Sequence, residues 1–484
     1  MIKVRTRYAP SPTGYFHIGG ARTALFNYLY TKHYSGEFIV RIEDTDVARN
    51  VEGGIESQLE NLKWLGIFAD ESVANPTENG PYIQSQKFDV YKRLAFSLLE
   101  QKLAYRCFCT PEELEQARES ALARGETPKY SKKCLVLTES EINEKLSSNT
   151  PFAIRLSIKA DRNFEWNDLV RGLMSVSSSS MTDPIILKNN GIATYNFAVV
   201  IDDHDMQITH ILRGEEHLSN TPYQIAIKEA LGYKDNFSYG HLSIIVDASG
   251  KKLSKRNLDV EQFLEEFKTK GYLPEALVNF IALLGWSDEE NKEILNMREL
   301  IKKFSIDRLT SAPAFFDINK LNWVSSEYFK KMDDVAYTLF VVPFIKNSNP
   351  ILVGKEKELA LLFKKNLFYA QQINEFINTN FPSELGWEHL KPETKEIILK
   401  NNKVKDVLSE FKYAITHLSE FNDVNVKDTI KKVGEKVEAS GKELFMPIRI
   451  ALTGQEHGPE LASIITLYGQ TKVNEIVDKF LSNL

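Results

Sequence analysis

The sequence predicts an α/β protein: a parallel-sheet domain interrupted by an α+β insertion and followed by an all-α C-terminal region. Three observations carry this. The first hundred residues alternate extended and helical patterns, the stretch from Tyr105 to Asp183 breaks that alternation, and in the C-terminal part apolar residues recur at helical spacing almost to the end. At 484 residues the chain has room for three to five modules of ~100–200 residues each.

Taken in order, residues 3–8 read as extended, 21–34 as helical, 38–42 as extended, and 54–65 and 86–102 as helical. That βαβα order implies parallel strands joined by right-handed crossovers. Ligands of such sheets gather at the carboxyl ends of the strands, here residues 9–17 and 43–46. Thr110-Pro111-Glu112-Glu113 has the form of a capping box ahead of a charged helix to Arg124, and residues 175–180 are serine-rich. The apolar run 194–201 and the run 207–213, on either side of Asp202-Asp203-His204, read as strand, so the sheet resumes there. Leu408, Phe411, Ile415 and Leu418, then Val473, Ile476, Val477, Phe480 and Leu481, keep a spacing of three and four. No β-rich block closes the chain.

Hydrophobic content of 43% and charged content of 26% are ordinary globular values, which excludes wholesale disorder. The longest apolar runs, such as 276–286, fall short of the ~20 residues a membrane span needs, and no leader-like segment opens the chain, so a cytoplasmic protein is expected. Three cysteines cannot form a closed disulfide framework, in keeping with a reducing compartment. A net charge of −6 gives no global pull on nucleic acid. Any such contact needs a local patch, and the lysine pairs 302–303, 330–331, 364–365 and 431–432 permit one.

Two short segments carry the chemistry. Ala9-Pro10-Ser11-Pro12-Thr13-Gly14, leading to His17-Ile18-Gly19-Gly20, puts a glycine-rich turn and a histidine at the start of a helix, where unpaired N–H groups and the helix dipole favour phosphate. Lys252-Leu253-Ser254-Lys255-Arg256, just after the turn Ala248-Ser249-Gly250, supplies cations for the charge that develops as a triphosphate is cleaved. Each alone is ordinary loop chemistry. Their joint occurrence, in this order and at domain-scale separation, makes them two halves of one ATP site.

Together these segments resemble the HIGH and KMSKS signatures of class I aminoacyl-tRNA synthetases, and longer strings narrow the resemblance to the bacterial-type glutamyl-tRNA synthetases. Those strings are Arg7-Tyr8-Ala9-Pro10-Ser11-Pro12-Thr13-Gly14, Arg41-Ile42-Glu43-Asp44-Thr45-Asp46, Gly271-Tyr272-Leu273-Pro274-Glu275-Ala276-Leu277, Phe316-Asp317-Ile318-Asn319-Lys320-Leu321 and Pro447-Ile448-Arg449-Ile450-Ala451-Leu452-Thr453-Gly454. One departure stands out: the fourth HIGH position is Gly20 and not histidine, and in the glutamyl subgroup that position is typically not histidine. The helical C-terminus also fits the bacterial glutamyl enzymes, whereas glutaminyl-tRNA synthetases carry β-barrels there.

The resemblance implies a Rossmann-like catalytic domain in two halves, 1–104 and 186–245, an acceptor-end-binding insertion at 105–185, a stem-contact region with the lysine loop at 246–324, and an α-helical anticodon-binding region at 325–484. It implies activation of L-glutamate by ATP with Mg²⁺, then transfer to glutamate tRNA, by a monomer. His17, Lys252 and Lys255 are the expected catalytic residues, and Ser11, Thr13, Gly19, Glu216 and Ser254 join them in binding ATP. Arg7 and Arg213 would take the glutamate side-chain carboxylate, Glu43 the ammonium, with Ala9, Ser11, Tyr195 and His217 around them. Arginine suits that task because its planar fork pairs bidentately with a carboxylate. Around residues 364–375 no arginine is available to contact an anticodon base, which leads to an expectation of relaxed specificity extending to glutamine tRNA.

Cys107, Cys109 and Cys134 resemble the zinc site of some family members. A structural zinc takes four protein ligands. Where relatives often place the fourth, this chain has Val136, and Tyr130 is the other candidate. Zinc and three buried free thiols both stay open. Among other functions, a glutamyl transferase for an anticodon nucleoside would lack the roughly 160 residues after Trp323. An inactive RNA-binding relative would have lost some of His17, Lys252, Lys255, Arg213 and Glu43. A nucleotidyltransferase sharing only the histidine turn would not carry the strings beyond residue 250.

Overall fold

The computed structural model describes residues 3–253, 263–346, 349 and 352–484. They form two compact units, Met1–Glu266 with Leu277–Ile318, and Phe267–Ala276 with Asn319–Leu484.

The first unit opens as predicted with β1 (Arg5–Tyr8), α1 (Ile18–His33), β2 (Glu37–Val40), α2 (Gly54–Trp64) and α3 (Phe88–Glu100). β1 and β2 run parallel, with Arg7 opposite Ile39. Then come β3 (Ala104–Cys107), α4 (Pro111–Ala123), α5 (Glu139–Ser147), β4 (Ala153–Leu156), the hairpin β5 (Asn163–Asp168) and β6 (Gly172–Ser177), and β7 (Ile185–Leu187). β3, β4 and β7 form an antiparallel sheet, so the character of this stretch is α+β, as the sequence suggested. The capping box is real: Thr110 accepts from the Glu113 N–H while Glu113 accepts from the Thr110 N–H.

One expectation is wrong. Residues 194–201 are not a strand but the start of a helix, α6 (Tyr195–Asp205). The helix packs between α3 and the antiparallel sheet, with Phe197, Ala198, Val199, Val200 and Ile201 all buried in a cluster with Tyr91, Leu98, Ile154 and Leu156. A helix buried on every side shows no polar face, so its apolar run is indistinguishable from a buried strand.

The parallel sheet then resumes in β8 (His210–Gly214), α7 (Thr221–Ala230) and β9 (Ser238–Leu242), with β8 and β9 parallel. Thr209, at the entrance to β8, exchanges hydrogen bonds with Arg5, which sets β8 beside β1. Short β10 (Ile245–Val246), helices α8 (Leu264–Lys270), α9 (Pro274–Ala282) and α10 (Met297–Lys303), and β11 (Ala314–Phe315) complete this part of the chain.

The second unit is helical, with α11 (Ile318–Lys331), α12 (Asp334–Val341), α13 (Glu356–Phe363), α14 (Ile373–Asn380), α15 (Pro392–Leu399), α16 (Val404–Thr416), α17 (Asp423–Lys436), α18 (Gly441–Thr453), α19 (Leu461–Tyr468) and α20 (Gln470–Leu481). Of the predicted stripe residues, Leu408, Phe411, Ile415, Val473, Ile476, Val477 and Phe480 are buried, while Leu418, just beyond α16, and Leu481, at the end of α20, are half-buried. No helix of the described residues is long and apolar enough to cross a membrane.

Candidate active site

The carboxyl ends of β1, β2 and β8 and the amino end of α1 enclose a cleft of about 680 Å³ in the first unit. Of the residues expected to bind substrate, Arg7, Ala9, Ser11, Thr13, His17, Gly19, Glu43, Tyr195, Arg213, Glu216, His217 and Lys252 all line it. Ser254 and Lys255 lie outside the described residues.

His17 is the N-cap of α1, with extended backbone, and its Nδ1 accepts from the Gly20 N–H at 3.2 Å. That bond assigns the ring proton to Nε2, making Nε2–H a donor. A Cβ at Gly19 would stand 3.1 Å from the His17 ring, and a Cβ at Gly20 would stand 2.7 Å from the Tyr8 hydroxyl and 3.3 Å from the Phe16 ring. Tyr8 is itself held, donating to Gln58 Oε1 at 2.9 Å. The missing fourth histidine of the motif therefore has a steric cause. Lys252 follows a turn in which Gly250 has φ +75°, and Asp247 Oδ1 accepts from the N–H groups of Ser249 and Lys251.

Behind this lies a buried charge network. Arg7 forks onto Asp203, with Nε and Nη2 at 3.1 and 3.2 Å from its two oxygens. Arg41, 1% exposed, donates to Asp203 at 2.7 Å and to Glu43 at 2.9 Å. Burial alone would raise the Asp203 carboxyl, but Arg7 and Arg41 hold it below its usual range. Glu43 ends in the opposite direction: burial pushes it up, against the pull of Arg41 and Arg7, so a further cation beside it would favour its charged form. Asp202, next in α6, accepts from Tyr91, Gln84 and Lys87.

Arg213 contrasts with Arg7. It is buried, and its three hydrogen bonds go to neutral groups: His241 Nε2 at 3.1 Å, Gln224 Oε1 at 2.8 Å and Thr221 Oγ1 at 2.8 Å. Its guanidinium also lies 5.6 Å from the centre of the Tyr239 ring. A buried cation facing a cleft with no anion among these partners is poised for an anionic ligand. His217, 5.3 Å from the Tyr195 ring, is pushed down to about 4 by burial and then by Arg213, so it is neutral at working pH.

The sequence reading passed over Arg41, Asp203 and Arg22, all of which are buried at or behind the cleft. Asp203 touches Arg7 across 196 positions, so only the doublet Asp202-Asp203 after an apolar run hinted at it.

At the third site, the Sγ atoms of Cys107, Cys109 and Cys134 all lie within 4.8 Å of one another. The Tyr130 hydroxyl sits 3.4 Å from Cys107 and 3.6 Å from Cys109. The three thiols supply three of the four ligands a tetrahedral zinc takes, and the Tyr130 hydroxyl is the group beside them that could close the set. Val136, 80% exposed, is a hydrocarbon and offers no ligand.

A parallel sheet whose strand ends meet a glycine-rich helix start, beside one arginine tied to acid and one bonded to neutral groups, has the arrangement of an α/β nucleotide-dependent enzyme. Comparison with known proteins is more specific. The family model "tRNA synthetases class I (E and Q), catalytic domain" matches residues 3–323, and "Anticodon binding domain" matches residues 357–480. A glutamate–tRNA ligase of Mycoplasmoides gallisepticum is 56% identical, with 100% of this chain and 99% of that protein covered. One from Mycoplasma genitalium is 51% identical, with the same coverage. Among solved structures, the crystal structure of a glutamate tRNA ligase from Elizabethkingia meningosepticum in complex with its amino acid matches with a TM-score of 0.90 at 34% identity, covering 100% of both chains. The chain belongs to the class I tRNA synthetases of the E and Q family and carries that family's anticodon-binding domain.

Proposed function

We propose that the chain is a glutamate–tRNA ligase of protein synthesis. The observation that carries the choice of substrate is Arg213, a buried guanidinium bonded only to neutral groups, in one cleft with Arg7 and Glu43. In this reading the glutamate side-chain carboxylate pairs chiefly with Arg213, with Arg7 Nη1, the nitrogen outside the fork onto Asp203, beside it; the ammonium pairs with Glu43, between Tyr195 and His217, with Ala9 and Ser11 alongside. ATP lies over the amino end of α1, against Ser11, Thr13, His17, Gly19 and Glu216.

The α-carboxylate of glutamate attacks the α-phosphorus, and the bond to the bridging oxygen breaks to release pyrophosphate. A hydroxyl of the terminal tRNA adenosine then attacks the acyl carbon and AMP leaves. Both nucleophiles belong to substrates, so the protein's part is orientation and charge stabilisation. His17 Nε2–H is a donor for the triphosphate, and Lys252, Ser254 and Lys255 act on the pyrophosphate side. Loss of one such donor is expected to raise the barrier by about 3 kcal/mol. Mg²⁺ accompanies the triphosphate as part of the substrate.

Residues 105–185 grip the acceptor end in this reading, 246–324 contact the stem, and the helical region reads the anticodon. The absence of arginine from 364–375 supports charging of glutamine tRNA as well as glutamate tRNA. The enzyme acts as a cytoplasmic monomer. Zinc, held by Cys107, Cys109, Cys134 and Tyr130, would tie the start of the insertion together, with no part in the reaction. Stoichiometric zinc in protein purified without chelators is expected, and its absence would leave three thiols.

The decisive experiment offers radiolabelled glutamate and glutamine, with ATP and Mg²⁺, to purified glutamate and glutamine tRNAs. Glutamate on both tRNAs supports the relaxed enzyme, glutamate on the first alone a discriminating one, and no attachment overturns the proposal.

A further inference from the structure

We infer that Asp168 and His241 are positioning residues that hold Arg213 in the orientation its ligand requires; the inference rests on the glutamate reading of the cleft. Asp168 ends β5, which belongs to an antiparallel hairpin and not to any of the parallel strand pairs, and no motif singles it out. Its side chain is nonetheless fully buried, as is that of His241 on β9.

The contacts form a line. Asp168 Oδ1 accepts from the backbone N–H groups of Val170, Arg171 and His241, each at 3.1 Å, which fixes the carboxylate. Its Oδ2 bonds His241 Nδ1. On the far side of the ring, His241 Nε2 receives the Arg213 Nε–H at 3.1 Å, and the Thr221 hydroxyl, which accepts from Arg213 Nη2, lies 3.1 Å from the same nitrogen. The turn after β5 is clamped in place, because Leu169 N–H donates to Tyr239 O at 2.8 Å and Arg171 pairs with Glu215.

The protons make this line directional. A carboxylate accepts only, so Nδ1 must carry the ring proton, and Nε2 is then a lone pair aimed at Arg213. Burial is the main force lowering the His241 pKa, with Arg213 adding to it against Asp168, so the ring stays neutral and Nε2 stays an acceptor. The dyad thereby occupies one edge of the guanidinium with a neutral partner. Further N–H donors on its Nη atoms are left for the substrate carboxylate. An acid in direct contact with Arg213 would bind it as Asp203 binds Arg7 and compete with the ligand. A carboxylate placed one imidazole away orients the arginine without neutralising it at contact.

Asp168→Asn tests this with little other change, because its Oδ1 keeps the three backbone bonds while its NH₂ replaces Oδ2. That NH₂ donates to Nδ1, drives the proton to Nε2, and sets a donor against the Arg213 Nε–H. In attachment assays of the full chain at saturating ATP and tRNA, the glutamate KM is expected to rise about tenfold or more, with the ATP KM within about twofold of wild type. A second pair of variants separates positioning from packing. His241→Gln places an amide oxygen where Nε2 was and keeps an acceptor for Arg213. His241→Asn keeps the bond to Asp168 and loses that acceptor. The glutamate KM of His241→Asn is expected to exceed that of His241→Gln severalfold.

An unchanged glutamate KM in Asp168→Asn, or equal rises for glutamate and ATP, would overturn the inference. If Asp168→Asn does not fold, the histidine pair decides, and equal KM values there would overturn it. A wild-type chain that attaches no glutamate would instead bring down the glutamate reading, and this inference with it.

Discussion

The cleft of the first unit and the helices near the C-terminus handle charge in opposite ways. Around the cleft, Arg7, Arg41, Glu43, Asp202, Asp203 and Arg213 are all buried. In the helical unit the interior is mainly apolar, with Phe411, Ile415, Val433 and Phe480 at its centre, and charges pair on the outside, Lys400 with Glu396 and Lys472 with Glu475. Exposed pairs of that kind contribute ~0–1 kcal/mol and are screened by salt. Buried charges cost several kcal/mol to desolvate and are weak sources of stability even when paired. Stability alone does not explain six of them buried in one place, and this supports the proposed ligand-binding role of the cleft. The difference teaches where to look for chemistry: in the group whose burial stability alone does not explain.

The sharpest way to break this comparison is to remove the central cation. Arg41→Met leaves Asp203 and Glu43 without a shared partner, and unfolding in denaturant is expected to lose about 3–5 kcal/mol of stability. Phe411→Ala in the helical unit is expected to cost a similar ~3–5 kcal/mol through the cavity it leaves, with the glutamate KM unchanged. If both variants changed the glutamate KM alike, the two regions would not differ as argued.

Next in size is Arg213→Lys, which keeps the charge and removes the fork. Glutamate attachment is expected to fall roughly 100-fold in kcat/KM, the scale of a lost charge-assisted pair of hydrogen bonds. A loss confined to kcat would show that the fork acts on the transition state and not on substrate binding.

A smaller effect is expected from pH. His217 is pushed down to about 4 by burial and by Arg213, while its unfolded value is ~6.5. A folded pKa below the unfolded one means that unfolding takes up a proton between those values. Its contribution is therefore complete above ~6.5 and is lost as pH falls toward 4. His210 and His241 are lowered by burial as well and add to the same slope. His217→Gln should make the fall in melting temperature between pH 6.5 and 4 shallower. The smallest effect is expected from Glu396→Ala, whose denaturation midpoint should match that of the wild type, because the ion pair it breaks is exposed and screened. A lower midpoint would mean that surface charge also carries weight in the helical unit.

What was legible in the sequence was local. The start of α1, the capping box of α4 and the stripes of α16 and α20 each depend on neighbours a few positions apart. The cleft motifs could be read because a turn and a helix start carry their chemistry in consecutive residues. What stayed hidden depends on distant pairing. Arg7 meets Asp203, Arg41 meets the same acid, and Asp168 meets His241 across 73 positions, with no periodicity to announce any of them. Helix α6 was misread for a related reason, since its face-to-face difference vanishes when every face is covered.

Tyr8 and Gly20 amount to a single unit of variation spread over two positions. While the phenol stays bonded to Gln58, no side chain fits at position 20, and a random library there should return glycine from an activity selection. Randomising positions 8 and 20 together should recover larger residues at 20 only in clones that have given up the tyrosine. A departure from a signature motif is thus recorded twice in the sequence, and reverting one half alone would leave two groups contending for the same space.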